Sequence, residues 1–218
     1  MRAVKQAARI RYGVSGQRAG PGTEMKLACR CGQVQGEVDP RRAYGRATCY
    51  CRDCRAFARW LGGDGLLDPA GGTDIVAMAP DGLRFTRGFE RVSCMSLGPR
   101  GLLRWYASCC RTPLGNIPRD PTLYYLGVPV PALADPVDAV DAAYGRPGRI
   151  AVNTASATRK VASSGVARFV GTLRIIANVL GARLRGRRNA VLFDAEGLPL
   201  REPMVLNKAE RDALRAAS

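Results

Sequence analysis

The chain has 218 residues, of which 34 are basic and 18 acidic, and it contains eight cysteines and no histidine. This length supports an ordinary core without disulfides, and the missing histidine excludes every metal site that needs imidazole. We identify no secretory signal, and Arg168 and Arg174 interrupt the most hydrophobic segment, so no membrane span is expected. The sequence therefore predicts a cytoplasmic protein whose thiols stay reduced.

The net charge of +16 favours an anionic partner, and nucleic acid, acidic small molecules and membrane surfaces all qualify. The basic residues are spread along the chain, with one dense cluster at 183–188, and nearly all are arginines in an alanine- and glycine-rich background. Such a pattern is also typical of a genome whose proteins are generally rich in arginine, alanine and glycine, in which case part of the charge does not indicate a partner. We therefore expect an acidic small molecule as the partner, and we expect neither a nucleic-acid nor a membrane partner.

The amino-terminal half predicts a tail followed by a β domain. Residues 1–24 are rich in Arg, Gly and Ala and predict a disordered or leader-like tail. From 25 to 131, short β-prone runs alternate with turn residues, which indicates a mainly β, antiparallel domain. Pro80-Asp81-Gly82 predicts a hairpin between its flanking runs, and 91–95 is expected to pair with 101–107.

Residues 132–218 differ from the β domain in composition and in hydrophobic spacing, and they predict a helical and hairpin extension. An Ala-, Asp- and Pro-rich linker is expected up to about residue 149. A helical segment follows, with one apolar face made of Val166, Phe169, Val170, Leu173, Ala177, Leu180 and Leu184. We expect this face to pack on the β domain, because such helices pack against their own domain more often than they lie on a lipid surface. A small hairpin at 190–200 and a capping box, Asn207 with Glu210, precede a short last helix.

Cys49, Cys51 and Cys54 form a C-x-C-x-x-C motif, which places three thiols within six residues. Three sulfurs in one loop can reach a single ion, whereas a disulfide would use two and leave one over. Zinc is the metal expected for thiolate ligands. Three protein ligands are typical of a catalytic zinc with an open position, but a fourth cysteine from elsewhere would close the site into a structural one.

The remaining cysteines fall into two further groups and one isolated residue. Cys29 and Cys31 precede the first predicted strand pair, and Cys109-Cys110 follows the strand that ends near Tyr106. Small β domains often use such metal sites to hold their loops together. Cys94 is expected to be a buried, small hydrophobic residue.

Three motifs occur in a fixed order, and together they resemble a known family. They are Leu27-Ala-Cys-Arg-Cys-Gly at 27–32, Cys49-Tyr-Cys-Arg-Asp-Cys at 49–54, and Trp-Tyr-Ala-Ser-Cys-Cys-Arg-Thr-Pro-Leu at 105–114. This pattern resembles the glutathione-dependent formaldehyde-activating enzyme family, which includes centromere protein V, over residues 25–130. The resemblance implies a β-tent of small antiparallel sheets with one catalytic and one structural zinc.

The resemblance also implies the ligands of both zinc ions. The catalytic zinc would use Cys49, Cys51 and Cys54, and the structural zinc would use Cys29, Cys31 and Cys110. The family's remaining structural cysteine would fall at Ala107, so this chain departs from the pattern. Consecutive side chains on an extended chain point to opposite faces, so either the structural zinc is absent, or Cys94 or a Cys109 at a chain bend completes its site.

The activity implied by the resemblance is the addition of glutathione to formaldehyde, whose reverse is a carbon–sulfur lyase reaction. Arg46, Arg52, Arg55 and Arg59 lie beside the cluster, where they could attract the carboxylates of glutathione or simply form a solvated face. The alternative is a non-catalytic, zinc-stapled module that binds an acidic partner through its arginines.

Overall fold

A computed structural model describes residues 24–63, 65–162 and 165–216. This part of the chain is mainly β, as predicted, with eleven strands in two sheets and four α-helices. The predicted tail at 1–24 lies outside the described residues, except for Glu24.

The strands are β1 (Met25–Ala28), β2 (Gln35–Val38), β3 (Ala43–Cys49), β4 (Thr73–Met78), β5 (Leu83–Arg87), β6 (Val92–Ser96), β7 (Leu103–Ala107), β8 (Thr112–Ile117), β9 (Leu126–Pro129), β10 (Ala151–Val152) and β11 (Met204–Val205). The helices are α1 (Arg52–Trp60), α2 (Val137–Tyr144), α3 (Gly165–Leu184) and α4 (Lys208–Ala216).

The two sheets differ in size but share a core. The smaller sheet has the order β1-β2-β5, and the larger has the order β10-β3-β4-β9-β8-β7-β6-β11. Buried side chains from both sheets, such as Leu27 and Val38 from one and Trp105 and Leu126 from the other, belong to one apolar cluster. Burial of these side chains, each worth roughly 1.5–3 kcal/mol, holds the sheets together.

The last third of the chain completes the larger sheet. Its two edge strands, β10 and β11, pair in parallel with β3 and β6, whereas the strand pairs between them are antiparallel. Two short strands from the last third of the chain are therefore built into the same sheet that carries the C-x-C-x-x-C motif.

One predicted hairpin is present and the other is wrong. β6 and β7 pair antiparallel from Val92 opposite Ala107 to Met95 opposite Arg104, as expected. Residues 80–82 do form a turn, but β4 belongs to the larger sheet and β5 to the smaller. The Asp39 amide donates to the Gly82 carbonyl, so the turn is bonded to the chain before β3 and carries the backbone from one sheet to the other.

The predicted linker contains a helix. α2 lies within 132–149 and buries Val140, so the linker prediction is wrong for these residues. The capping box at Asn207 is confirmed, because the Glu210 amide donates to the Asn207 side chain at 3.0 Å and the Asn207 amide donates to the Glu210 carboxylate at 2.9 Å.

α3 occupies the predicted span but presents a different face to the domain. Gly171 and Ala182 are its buried residues, and a Cβ on Gly171 would lie 2.4 Å from Ile150 Cδ1. The expected core face is exposed instead, with Val166 at 74% and Phe169 at 65%. By length and composition alone, α3 could also cross a membrane, which corrects the expectation that its two arginines exclude a span.

A buried arginine joins two strands of the larger sheet to helix α2. Arg46 on β3 is 6% exposed and bonds Asp74 on β4 and Asp141 on α2, each at 2.7 Å. It also donates to the Gly145 carbonyl at 2.7 Å. Arg46 is therefore fully engaged, and its suggested role in attracting a substrate is wrong.

We predict that Arg46→Met lowers the free energy of unfolding by about 3 kcal/mol, because it leaves two partly buried carboxylates without their cation. Chemical denaturation of the full chain measures this change. The control is Arg84→Met, which removes an exposed ion pair with Glu37 and should change stability by less than about 1 kcal/mol. Equal losses in the two variants would contradict a special role for Arg46.

Candidate metal centres

Cys49, Cys51 and Cys54, here called the thiol triad, lie where β3 leads into α1. Cys49 ends β3, Cys51 caps the amino terminus of α1, and Cys54 lies in its first turn. The Cys51 sulfur accepts a hydrogen bond from the Cys54 amide at 3.3 Å. All three Sγ atoms lie within 4.8 Å of one another, an arrangement that can hold a metal ion.

The triad favours negative charge on one of its sulfurs. Cys49 and Cys54 are buried, whereas Cys51 is partly exposed. Hydrogen bonds from Cys51 and Cys54 lower the pKa of Cys49 to about 2, and the bonds to Cys49 raise the pKa values of the other two thiols. The positive end of the α1 dipole also favours a thiolate. A cation that displaced the two remaining protons would gain three thiolate ligands.

Asn153 is a neighbour of the triad that the sequence did not reveal. It follows β10, adopts a left-handed conformation with φ 57°, and directs Nδ2 to within 3.4 Å of the Cys49 sulfur. β10 pairs with the last two residues of β3, which brings Asn153 beside the triad. A hydrogen bond to a ligating sulfur is a common way to orient it and to tune its charge.

Cys29, Cys31, Cys109 and Cys110 form a second group, here called the four-thiol cluster. Cys31 Sγ lies 3.5 Å from Cys29 Sγ and 3.3 Å from Cys109 Sγ, and Cys109 Sγ lies 3.9 Å from Cys110 Sγ. Adjacent cysteines reach one centre because the chain bends there, with a left-handed Arg111 at φ 56°. The cluster joins the loop between β1 and β2 to the turn between β7 and β8, and so links the two sheets.

The thiol triad and the four-thiol cluster are separate groups. Within residues 24–63, 65–162 and 165–216, no fourth Cys, His, Asp or Glu joins the triad. Asp53 lies between its ligands in sequence but bonds Arg215 of α4 at 2.7 Å. Cys94 belongs to neither group and is 2% exposed, as predicted, and burial raises its pKa to about 12.

The arginines beside the triad are used unevenly. Arg55 donates to the Ser156 carbonyl at 2.9 Å, and Arg59 donates to the Leu214 carbonyl at 2.8 Å. Arg52 is exposed on α1. Arg55 and Arg59 thus have structural contacts, and a substrate role for these three residues stays a prediction.

Two adjoining cavities are here called the outer and the inner part of one recess, and only the inner part is lined by Cys54. The outer part measures ≈190 Å³ and carries Arg30 and Arg111. The inner part, ≈10 Å³, has room for about one water and is lined by Cys54 and Arg104 among others. The two parts share the side chains of Leu61, Leu66, Pro113 and Pro131.

A buried arginine, Arg104, and a partly buried tyrosine, Tyr125, lie near the triad, and neither was singled out from the sequence. Arg104 is 2% exposed, has its guanidinium 5.1 Å from the centre of the Phe57 ring and donates to Asn116 at 3.2 Å. Burial and the charge on Cys54 and Cys49 raise the pKa of Tyr125, so its hydroxyl stays protonated. The triad therefore has a fixed cation and a hydroxyl donor in its surroundings.

A family model described as a family of unknown function (DUF6151) matches residues 23–173, which is more than half of the sequence. The chain belongs to this family. The match extends past residue 131 and includes the Asn153 segment, so both groups of thiols lie within the DUF6151 region.

No curated protein matches this DUF6151 chain. A crystal structure of a Rhodobacter sphaeroides protein from a structural genomics project is 24% identical to it. The match covers 52% of this chain and 94% of that one, with a TM-score of 0.37. A likeness at that level carries no argument about function.

We predict that the protein binds two equivalents of a thiophilic metal, as measured by elemental analysis and by titration of accessible thiols. Cys54→Ser should remove the equivalent held by the triad, and Cys31→Ser the one held by the four-thiol cluster, because each variant deletes a ligand. Cys94→Ser is the matched control and should retain both. Unchanged metal content in Cys54→Ser would contradict binding at the triad.

Proposed function

We propose that both groups of thiols bind zinc and that the triad is the centre of a thiol-dependent carbon–sulfur lyase. The observation that carries this proposal is the convergence of three sulfurs with no fourth Cys, His, Asp or Glu among the described residues. Thiolate ligands select zinc among the common divalent ions, and three protein ligands are typical of catalytic sites. The β-tent fold and a cytoplasmic location, where thiols stay reduced, belong to the same proposal.

Cys49, Cys51 and Cys54 would hold the zinc ion, whose chemistry would be to keep a substrate thiol as thiolate at neutral pH. Such an electron-rich ion is a poor Lewis acid, so presenting a sulfur nucleophile suits it better than activating water. Asn153 fixes the orientation of Cys49, and the α1 amino terminus offsets part of the negative charge on the sulfurs.

The recess supplies a route for an anionic thiol such as glutathione. Arg30 and Arg111 lie in its outer part, where their guanidinium groups can bind carboxylates. The narrow inner part suits the slim CH₂–SH end of a substrate better than its bulky backbone. Arg104 lines this inner part and supplies a buried positive charge.

In the proposed reaction, the substrate sulfur forms a bond to the carbon of formaldehyde while its S–H bond breaks. The carbonyl oxygen gains a proton and becomes the hydroxyl of the adduct. Tyr125 is our candidate for the hydrogen-bond donor to this oxygen, because burial and the nearby thiolate charge keep it protonated. The proton lost from the S–H group returns through water and ends on the adduct oxygen, so Tyr125 is unchanged at the end of the reaction. The reverse sequence cleaves the carbon–sulfur bond and returns thiol and aldehyde.

The alternative is a zinc-stapled module without catalysis, which binds an acidic partner through its arginines. The observation that favours it is the small volume of the inner recess, ≈10 Å³. In this case zinc would stabilise the fold, and the triad would be a structural metal site like the four-thiol cluster.

We predict that zinc binding to the triad releases about two protons and weakens as the pH falls. The pKa values of Cys51 and Cys54 are raised above 9.0, so both thiols hold protons throughout the range below that pH, whereas Cys49 has lost its own. The apparent affinity should fall about 100-fold per pH unit. Calorimetry of Cys31→Ser in buffers of different ionisation enthalpy measures the protons released.

We predict that the zinc-loaded protein accelerates exchange between glutathione, formaldehyde and S-hydroxymethylglutathione, followed by NMR with ¹³C-formaldehyde. Cys54→Ser should reduce the rate to the spontaneous one, and Tyr125→Phe should reduce kcat roughly 100-fold while zinc is retained. Arg111→Gln should raise KM, and Arg100→Gln, at an exposed position that does not line the recess, serves as its matched control. If protein with full zinc content shows only the spontaneous rate, the lyase proposal fails and the stapled module remains.

A further inference from the structure

α3 has a broad apolar face that points away from the rest of the protein. Seven large side chains on it are at least 47% exposed: Val166, Phe169, Val170, Leu173, Ile176, Leu180 and Leu184. At 100° per residue, they fall within an arc of about 120°. A continuous apolar surface of this kind is typical of a binding site for a partner or a membrane.

The opposite side of α3 holds the helix flat against the domain. Gly171 packs on Ile150, and Ala182 lies in a cluster with Tyr44 and Tyr124. These two anchor points are eleven residues apart, or about 16 Å along the helix axis. The exposed apolar arc therefore runs parallel to the protein surface, which suits a helix lying in an interface better than one crossing a bilayer.

The chain segment that contains α3 is strongly positive, although Asp120 pairs with Arg183 near the carboxyl-terminal end of the helix. Residues 142–193 contain ten basic residues and no acidic residue. Beside the carboxyl-terminal half of α3, a groove of ≈260 Å³ is lined by Arg41, Arg42, Arg174, Arg185 and Arg187.

Three of the groove arginines have carboxylate partners. Asp39 pairs with Arg41, and Asp81 pairs with both Arg42 and Arg187. With five guanidinium groups and two carboxylates, the groove keeps an excess of three positive charges. Guanidinium groups in this arrangement bind phosphate well.

We propose that α3 and this arginine groove form a peripheral binding surface for an anionic lipid bilayer. The apolar arc of α3 would lie at the boundary of headgroups and acyl chains, and the groove would bind a lipid phosphate. The sequence predicted no membrane partner, because it assigned this apolar face to the core. With the face exposed, the positive charge beside it becomes complementary to an anionic membrane.

Other occupants fit these observations less well. Nucleic acid would use the arginines but would leave the apolar arc in water. A second copy of the chain would bring two strongly positive surfaces together. Residues 1–23 carry five basic groups and no acidic group, so this segment would also be repelled.

Vesicle flotation of the full-length protein tests the proposal. We expect binding to phosphatidylcholine vesicles that contain 30% phosphatidylglycerol, little binding to pure phosphatidylcholine, and weaker binding at high salt. The double variant Leu173→Gln, Leu180→Gln should bind at least about tenfold more weakly at unchanged charge. Its matched control is Leu102→Gln with Leu198→Gln, which changes exposed leucines elsewhere and should bind like wild type.

A second pair of variants isolates the groove. Arg174→Gln with Arg185→Gln should lose binding to anionic vesicles several-fold, whereas Arg87→Gln with Arg100→Gln removes equal charge from other exposed positions and should retain most of it. Circular dichroism and melting curves of each variant establish that it is folded. These readouts are independent of metal content and of lyase activity.

Three results would overturn the proposal. One is the absence of flotation with anionic vesicles at low salt. Another is flotation that persists in the folded Leu173→Gln, Leu180→Gln variant. Binding would then come from non-specific charge attraction alone, and the protein would bind a single-stranded oligonucleotide in the same way. The third is a wild-type protein that does not bind vesicles and that light scattering shows to be a dimer, while the leucine variant is a monomer. The apolar face of α3 would then bind a second copy of the chain.

Discussion

The contact of four sulfur atoms from two distant loops is the constraint on which the site depends. Cys31 and Cys109 are 78 residues apart, yet their sulfurs lie 3.3 Å from each other. This contact joins the loop after β1 in the three-stranded sheet, whose strands are only four or five residues long, to the turn between β7 and β8 in the larger one. Arg30 and Arg111 adjoin the cluster cysteines and also line the outer recess. The geometry of the four-thiol cluster thus determines the shape of the path to Cys54.

The thiol triad depends in turn on the last third of the chain. β10 supplies the edge of the sheet beside Cys49, and Asn153 bonds its sulfur. α4 is tied to α1 through Arg215 with Asp53 and through Arg59 with the Leu214 carbonyl. The helix that carries Cys54 is therefore held between the sheet and α4, and the side chains around the triad keep fixed positions.

The sequence predicts those features that local chemistry determines. Three thiols within six residues meet because one short loop presents them, and Asn207 meets Glu210 across a single helical turn. Features that depend on distant partners could not be predicted. Pro80-Asp81-Gly82 has the same chemistry whether it closes a hairpin or joins two sheets, and Arg46 finds its carboxylates 28 and 95 residues away. The face of α3 was ambiguous because the helix is apolar around most of its circumference, so the small residue at Gly171 determined which side approaches the domain.

The pairing of β10 with the end of β3 also sets an order of events during translation. The four-thiol cluster has all its ligands once residue 110 has left the ribosome, but Cys49 acquires its neighbour Asn153 about 40 residues later, or roughly 2 to 9 s at ordinary rates of synthesis. β8 and β9, which join β7 to β4 in the larger sheet, are also translated within that interval, so the four-thiol cluster gains its sheet before β10 can cover one side of the triad. Metal ions bound at the two groups would then be taken up in two steps, the first at the four-thiol cluster and the second at the triad.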